Sequence, residues 1–307
     1  MSRAVVYEKF GGPEVLELRE VPEPHAGPGQ VRVRVAAAGL NPLDWGLAQR
    51  PETAAMFGIT LPSGFGYDFA GVVDEVGEGV TGYTPGDRVH GGALGRAVAD
   101  FAVITPAADG REALWHTPDE VRAEVAATLP VAGMTAAAAV SAVELGAGDT
   151  VLIGGAAGGV GVFAVQLAKL AGARVLGTAS AGTFEFLREL GAEPVEYGPG
   201  LAERVRALGE PTAALDLFGT EAAETAVELG VPPKRIAGIV AGSTLPEGVR
   251  LTGGDFAPPG SMKRILDAIV AGGLTVLIAA TFPVEQVRDA VARQAGRHVH
   301  GKVVLTF

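Results

Sequence analysis

Two patterns of apolar and polar positions divide the chain. Up to about residue 117 the periods are short. Gln30-Val31-Arg32-Val33-Arg34-Val35 alternates charged and aliphatic positions, and residues 3–8 alternate as well. Residues 22–29 are a Pro/Gly-rich loop, and Gly66-Tyr67-Asp68-Phe69-Ala70-Gly71-Val72-Val73-Asp74-Glu75-Val76-Gly77 reads as strand punctuated by glycine. Pro85-Gly86-Asp87 is a turn feeding another strand. Short strands joined by turns predict a small β-rich domain.

After Pro118 the period lengthens. Helices are expected over 121–127, 131–145, 160–171, 183–190, 201–208, 220–229, 261–271 and 284–294. Strands are expected at 151–153, 174–179, 194–197, 213–218, 235–241, 274–281 and 302–306. Strand and helix in alternation predict an α/β region with a parallel sheet covered on both faces. Residues 242–260 form a long loop with three prolines and several glycines, of the kind that is functional or mobile.

One stretch of the second region carries chemistry. Val151 to Ile153 is a short aliphatic strand, Gly154-Gly155-Ala156-Ala157-Gly158-Gly159-Val160-Gly161 follows, and Val162, Val165, Leu167 and Leu170 then recur at helical spacing before Gly172. Strand, glycine turn and helix is the geometry in which backbone N–H groups and a helix N-terminus hold a pyrophosphate. Gly159-x-Gly161-x-x-Ala164 fits the dinucleotide fingerprint with alanine last, while Ala156-x-Gly158-x-x-Gly161 has alanine in place of the first glycine. The other reading is a tight turn between buried elements.

Composition narrows the classes. At 307 residues the chain is long enough for about two domains. A net charge of −11 argues against nucleic acid as a partner. The absence of cysteine excludes disulfides, thiolate zinc sites and a cysteine nucleophile. Residues 125–143 carry no charge, but they are alanine-rich and contain Pro130 and Gly133, so a buried helix is expected there rather than a membrane span. Residues 1–8 contain no apolar signal core, and the expected compartment is the cytosol.

Several motifs stand in order along the chain: Asn41-Pro42-Leu43-Asp44, Gly66-Tyr67-Asp68-Phe69-Ala70-Gly71, Gly86-Asp87-Arg88-Val89, Leu129-Pro130-Val131-Ala132-Gly133, the glycine turn with Gln166-Leu167-Ala168-Lys169, and Gly301-Lys302-Val303-Val304-Leu305. Together they resemble one family, the zinc-independent, ζ-crystallin-like quinone oxidoreductases of the medium-chain dehydrogenase/reductase superfamily. The resemblance implies a GroES-like β-rich catalytic domain from residues 1–117 and 272–307. A Rossmann doubly wound parallel-sheet domain, 118–271, is inserted within it, with nicotinamide and substrate in the cleft between them. Zinc-dependent relatives hold their metal through a cysteine near the Asn41 position and a histidine near Tyr67. This chain has neither, and His25, His90, His116, His298 and His300 form no ligand pattern. No metal is expected.

The cofactor expected is NADP(H). An NAD site places an acid roughly 20 residues after the glycines, whereas no acid occurs here between Val162 and Phe184. The turn residues Gly158, Gly159, Val160 and Gly161 would hold the phosphates, with Thr178 and Ser180 at the end of the second strand. The resemblance adds Tyr197, Arg297 and Thr135, the last toward the nicotinamide ribose. Tyr197 reads equally as a half-buried strand end, and Arg297 as a solvated turn residue. Phe218 would line the adenosine side, and Val240, Ala241 and Gly242 end the fifth Rossmann strand, where ligands gather. Family position puts Asn41 near the nicotinamide and the acceptor oxygen, where its amide would donate a hydrogen bond; otherwise Asn41-Pro42 makes only a turn. Tyr67 is either a proton donor or a pocket wall, and Asp44 reads as a helix-start residue rather than a base. Asp216 receives no role.

The expected activity is metal-free hydride transfer from NADPH to a quinone or an α,β-unsaturated carbonyl. An enoyl-thioester reductase of lipid or polyketide metabolism and a non-catalytic, crystallin-like NADPH-binding protein are the alternatives. Small-molecule substrates are the expected partners, without nucleic acid or membrane. Residues 235–240 would lie near a sheet edge and pair with a second copy to form a homodimer.

Overall fold

A computed structural model describes residues 1–106, 112–240, 242–296 and 299–307. The chain divides into two compact units, residues 1–131 with 278–307, and residues 132–277. In chain order the first unit begins with β1 (Ser2–Tyr7), β2 (Glu17–Val21), β3 (Val31–Leu40), α1 (Pro42–Gln49), α2 (Pro51–Met56), β4 (Ser63–Gly64), β5 (Asp68–Val76), β6 (Arg88–Gly92), β7 (Phe101–Ile104), β8 (Leu114–His116) and α3 (Ala123–Ala126). The second unit holds α4 (Met134–Ala142), β9 (Thr150–Gly154), α5 (Gly161–Leu170), β10 (Arg174–Ala179), α6 (Phe184–Glu189), β11 (Glu193–Glu196), α7 (Leu201–Leu208), β12 (Ala213–Asp216), α8 (Glu221–Glu228), β13 (Ile236–Gly238), β14 (Arg250–Leu251) and α9 (Ser261–Val270). The chain returns to the first unit with β15 (Ile278–Pro283), α10 (Val287–Ala295) and β16 (Lys302–Thr306).

The first unit is built around β3. Val31, Val33 and Val35 share one face of the strand and are completely or nearly buried, while Arg34 and Ala36 on the opposite face are exposed. β5 runs antiparallel on one side of it, while β7 pairs with residues 31–34 and β16 with residues 37–40 on the other. The end of the chain is thereby woven into the same sheet, order β15-β16-β3-β5-β6-β8. A second, smaller sheet is ordered β2-β1-β4. Helix α3 packs on β3 and β5, so the residues just after Pro118 belong with this unit rather than with the one that follows.

The second unit is a six-stranded sheet, order β11-β10-β9-β12-β13-β14, and every pairing in it is parallel. Its central strands are largely aliphatic, as strands covered on both faces must be: Val151, Leu152, Ile153, Leu176, Ala214 and Leu215 are at most 2% exposed, whereas the outer β11 and β14 carry exposed charged residues. Two expectations are corrected here. Strand β13 is not the edge, because the short β14 pairs with it outside, Ala237 against Arg250 and Gly238 against Leu251. Nor does a strand begin at Leu274. The Gln166 side chain of α5 donates to the Thr275 carbonyl (2.9 Å) and accepts from its N–H (2.8 Å), so the backbone there is satisfied by an amide rather than a ladder. No helix among the described residues is long and apolar enough to cross a membrane.

Candidate functional site

Parallel strands bring their carboxyl ends to one edge. Gly154 of β9 lies opposite Asp216 of β12, and Ile153 lies opposite Gly177 of β10. The glycine turn leaves β9 at this edge. Gly155 takes φ +69°, a left-handed conformation that costs glycine nothing. Its N–H donates to Thr178 Oγ1 (3.2 Å), tying the turn to the end of β10. Gly158 N–H closes back on the Gly155 carbonyl (3.0 Å), and helix α5 begins at Gly161.

The glycines of the turn differ in what surrounds them. A Cβ on Gly161 would lie 2.5 Å from the Ala156 carbonyl oxygen and closer still to that of Gly155. A Cβ on Gly158 would meet only the Gly155 oxygen, at 3.2 Å. Gly161 therefore serves packing, whereas Gly158 leaves bare backbone toward open space. Among the described residues, the N–H groups of Gly159, Val160 and Gly161 enter no backbone hydrogen bond of the turn. Open donors at a helix N-terminus beside a missing side chain fit a diphosphate.

Around this turn, β10 ends in Ala179-Ser180-Ala181-Gly182-Thr183 with no acid, and the Ser180 and Thr183 hydroxyls share a hydrogen bond of 3.0 Å. Tyr197 follows β11 and is 54% exposed, its carbonyl held with those of Glu196, Gly198 and Pro199 by the guanidinium of Arg204. Phe218 follows β12 and is 60% exposed. Val240 is half-buried and Gly242 takes φ +82°. Thr135 lies nearly buried at the start of α4, against residues 254–256. Ala241 and Arg297 lie outside the described residues.

Asp216 has a clear task that its sequence position left open. Its two oxygens accept from the backbone N–H groups of Phe218 (3.2 Å), Gly219 (2.8 Å), Ala222 (2.9 Å) and Ala223 (3.1 Å). One carboxylate thus caps α8 and shapes the loop that carries Phe218. An acid at a strand end just before a helix start was the available signal.

The first unit holds a different kind of site, made of side chains. Asn41 precedes α1, and its own N–H is capped by Asp44 Oδ2 at 2.7 Å. Its side-chain Nδ2 donates to Asp68 Oδ2 (2.9 Å), and its Oδ1 accepts from Lys302 Nζ. Lys302 also donates to the Leu40 carbonyl (3.0 Å), and Asp68 Oδ1 accepts from Val131 N–H (3.0 Å). All four side chains are at most 3% exposed. Burial pushes the Asp68 carboxyl up to about 6, against the pull of Lys302 and its hydrogen bonds. Asp44 rises to about 7 through burial and the neighbouring Asp68 charge, and its Oδ1 has no hydrogen-bond partner among the described residues. Lys302 is lowered, also by burial. Sequence reading placed Asn41 and left Asp68 and Lys302 unassigned, although an acid and a lysine in aliphatic strands are a sign of buried pairing.

Tyr67 directly precedes Asp68 and is half-buried. A Cβ on Gly92, which pairs with Asp68, would sit 2.5 Å from the Tyr67 Cζ and 2.8 Å from its hydroxyl oxygen. The phenol end of the ring therefore lies against bare backbone of β6. Asn41 and Tyr67 are brought together through Asp68; neither is a zinc ligand, and no three His, Cys, Asp or Glu side chains cluster for a metal among the described residues. Fully buried His90 shares a hydrogen bond with Thr117 (2.9 Å), and burial lowers it to about 3, so it is neutral.

Two family profiles match the chain: alcohol dehydrogenase GroES-like domain over residues 27–106 and zinc-binding dehydrogenase over 213–305. The residues at the zinc positions do not fit the metal named in the second. A quinone oxidoreductase of Pseudomonas aeruginosa is 36% identical over 245 residues, covering 76% of this chain and 71% of that protein. Among solved structures, the quinone oxidoreductase from Coxiella burnetii superposes with a TM-score of 0.88 at 28% identity, over 100% of this chain and 99% of that one. A mycobacterial protein solved in complex with NADPH gives a TM-score of 0.85 at 28% identity over the whole of both chains.

Proposed function

The chain belongs to the quinone oxidoreductase group of the medium-chain dehydrogenase/reductase family, and from that membership we propose that it reduces quinones or α,β-unsaturated carbonyls with NADPH, without a metal. The observation that carries the reading is the glycine turn, with Gly158 open, three unused N–H groups at the start of α5, and no carboxylate at the end of β10. That arrangement accepts a diphosphate and leaves a 2′-phosphate unopposed. Supporting the same reading is the NADPH complex of a relative of equal length.

The cofactor, when bound, supplies the hydride. The chain's residues bind and orient. Gly158, Gly159, Val160 and Gly161 hold the diphosphate, and Thr178 and Ser180 stand on the ribose side with Tyr197. Phe218 flanks the adenosine, and Thr135, Val240 and Gly242 line the nicotinamide end. Asn41 donates its remaining Nδ2 hydrogen to the acceptor oxygen as negative charge develops there. Tyr67, its phenol end against Gly92, bounds the acceptor and offers a phenol proton. We also propose a cytosolic homodimer through the edge that β14 forms, where Leu251 is 54% exposed.

The test is NADPH and NADH consumption with a panel of benzoquinone, an enone and a crotonyl thioester. Turnover of quinone or enone with NADPH preferred supports the proposal. Turnover of the thioester alone moves the chain to enoyl reduction, and tight NADPH binding without turnover moves it to a binding protein.

A further inference from the structure

A carboxamide has nearly the same shape either way round, so its orientation is set by its neighbours. The neighbours of Asn41 are unusually decisive. On one side stands the Lys302 ammonium, which can only donate; on the other stands the Asp68 carboxylate, which when ionised can only accept. Turning the amide over would set N–H against ammonium and carbonyl against carboxylate, both in surroundings where water cannot compensate. The partners are themselves fixed. Lys302 is anchored on the Leu40 carbonyl, Asp68 on the Val131 N–H, and the Asn41 backbone on Asp44. Among the described residues the second Nδ2 hydrogen makes no close hydrogen bond, the nearby Asp44 carboxyl being the other group that draws on the Asn41 amide.

We propose that Lys302 and Asp68 are positioning residues for the reaction, a buried charge pair that locks the Asn41 amide with its oxygen toward β16 and one N–H free for the acceptor oxygen. This rests on the reading of Asn41 as that donor. The Lys302 cation on the amide oxygen also strengthens the donor, because it draws electron density away from the amide nitrogen.

A pH dependence follows. When Asp68 takes up a proton it can donate as well as accept, and the amide is no longer told which way to face. The charged groups facing Asp68 are Lys302 from β16 and Asp44 from α1; its pairing partners on β3 and β6 are Gly39 and Gly92, which carry none. The lock therefore weakens as pH falls through about 6.

The experiment uses the full chain with NADPH and benzoquinone, comparing Asn41→Ala, Asp68→Asn, Lys302→Met and the double variant Asn41→Ala/Lys302→Met. Asp68→Asn keeps the shape and the acceptor for Val131 N–H, so it carries the test if Lys302→Met does not fold. The expected result is a kcat loss of about tenfold or more in each single variant. KM and NADPH affinity stay near those of the parent, and the double variant is no slower than Asn41→Ala. The parent loses kcat below about pH 6, a limb that Asp68→Asn lacks. Unchanged kcat in folded Asp68→Asn or Lys302→Met, with Asn41→Ala impaired, would overturn the lock and leave the donor standing, as would additive losses in the double variant. Unchanged kcat in Asn41→Ala would remove the donor reading itself.

Discussion

The two sites are built from opposite materials. The turn after β9 is a site of absences, with backbone donors exposed because a side chain is missing at Gly158 and the turn packed tightly because one is missing at Gly161. The cluster around Asn41 is a site of side chains, three of them ionisable and all buried. A backbone site can be contiguous, since neighbouring N–H groups in one turn point the same way. A side-chain site must draw its charges from separate strands, because one strand gives one face only every second residue. The lesson is that the first kind depends on atoms that are not there, while the second depends on which of its buried groups carry charge.

Four substitutions sharpen or break that contrast. The largest effect is expected at Gly158. Gly158→Val places branched carbons where the diphosphate must lie, so NADPH binding should be lost while the thermal midpoint stays near that of the parent, the space around Gly158 being open. Calorimetry and a melt on the same sample check it, and parent-like NADPH affinity would end the idea of a backbone-built phosphate site.

Asp216 is next. Asp216→Ala leaves four N–H groups without their acceptor at the start of α8. Each buried donor left unpaired costs about 1–3 kcal/mol, and water reaches some of them, so a total loss of about 3 kcal/mol is expected in urea unfolding. A loss within error would mean that the backbone site needs no side-chain support.

Gly161→Val overpacks the turn against the carbonyls of Gly155 and Ala156 and should cost about 1–3 kcal/mol as well as weakening NADPH. Normal stability with lost binding would make Gly161 a second Gly158 and erase the division of labour between them.

The smallest effect tests the charged site. Asp44 titrates near 7 in the folded chain and near 4 when unfolded. The folded state therefore holds the proton more tightly. The contribution to stability is complete below about pH 4, declines as pH rises toward about 7, and is flat above. Asp44→Asn cannot ionise and escapes the decline. Relative to the parent it should gain on the order of 1–3 kcal/mol between pH 5 and pH 8 in urea unfolding. A constant difference across that range would show that Asp44 is ionised throughout and that the cluster carries a net negative charge.

Much of this was legible in the sequence. The α/β character, the turn and its helix, strand β10 and helix α7 follow from periodicity and glycine spacing, which are local properties. The missing acid after β10 is likewise a fact of order along the chain. The two-residue β14 was not legible, because Arg250-Leu251 has no period to read and becomes a strand only by pairing with β13. Nor was the fate of Leu274 and Thr275, whose strand-like composition yields to the Gln166 amide. Asn41, Asp68 and Lys302 stand far apart in the chain and meet only because β16 and β5 both pair with β3. Local sequence therefore determined the backbone site, whose donors are consecutive. Only the tertiary structure decided the charged one, because burial and the approach of distant charges, which set both hydrogen bonding and ionisation, do not exist until the sheet has closed.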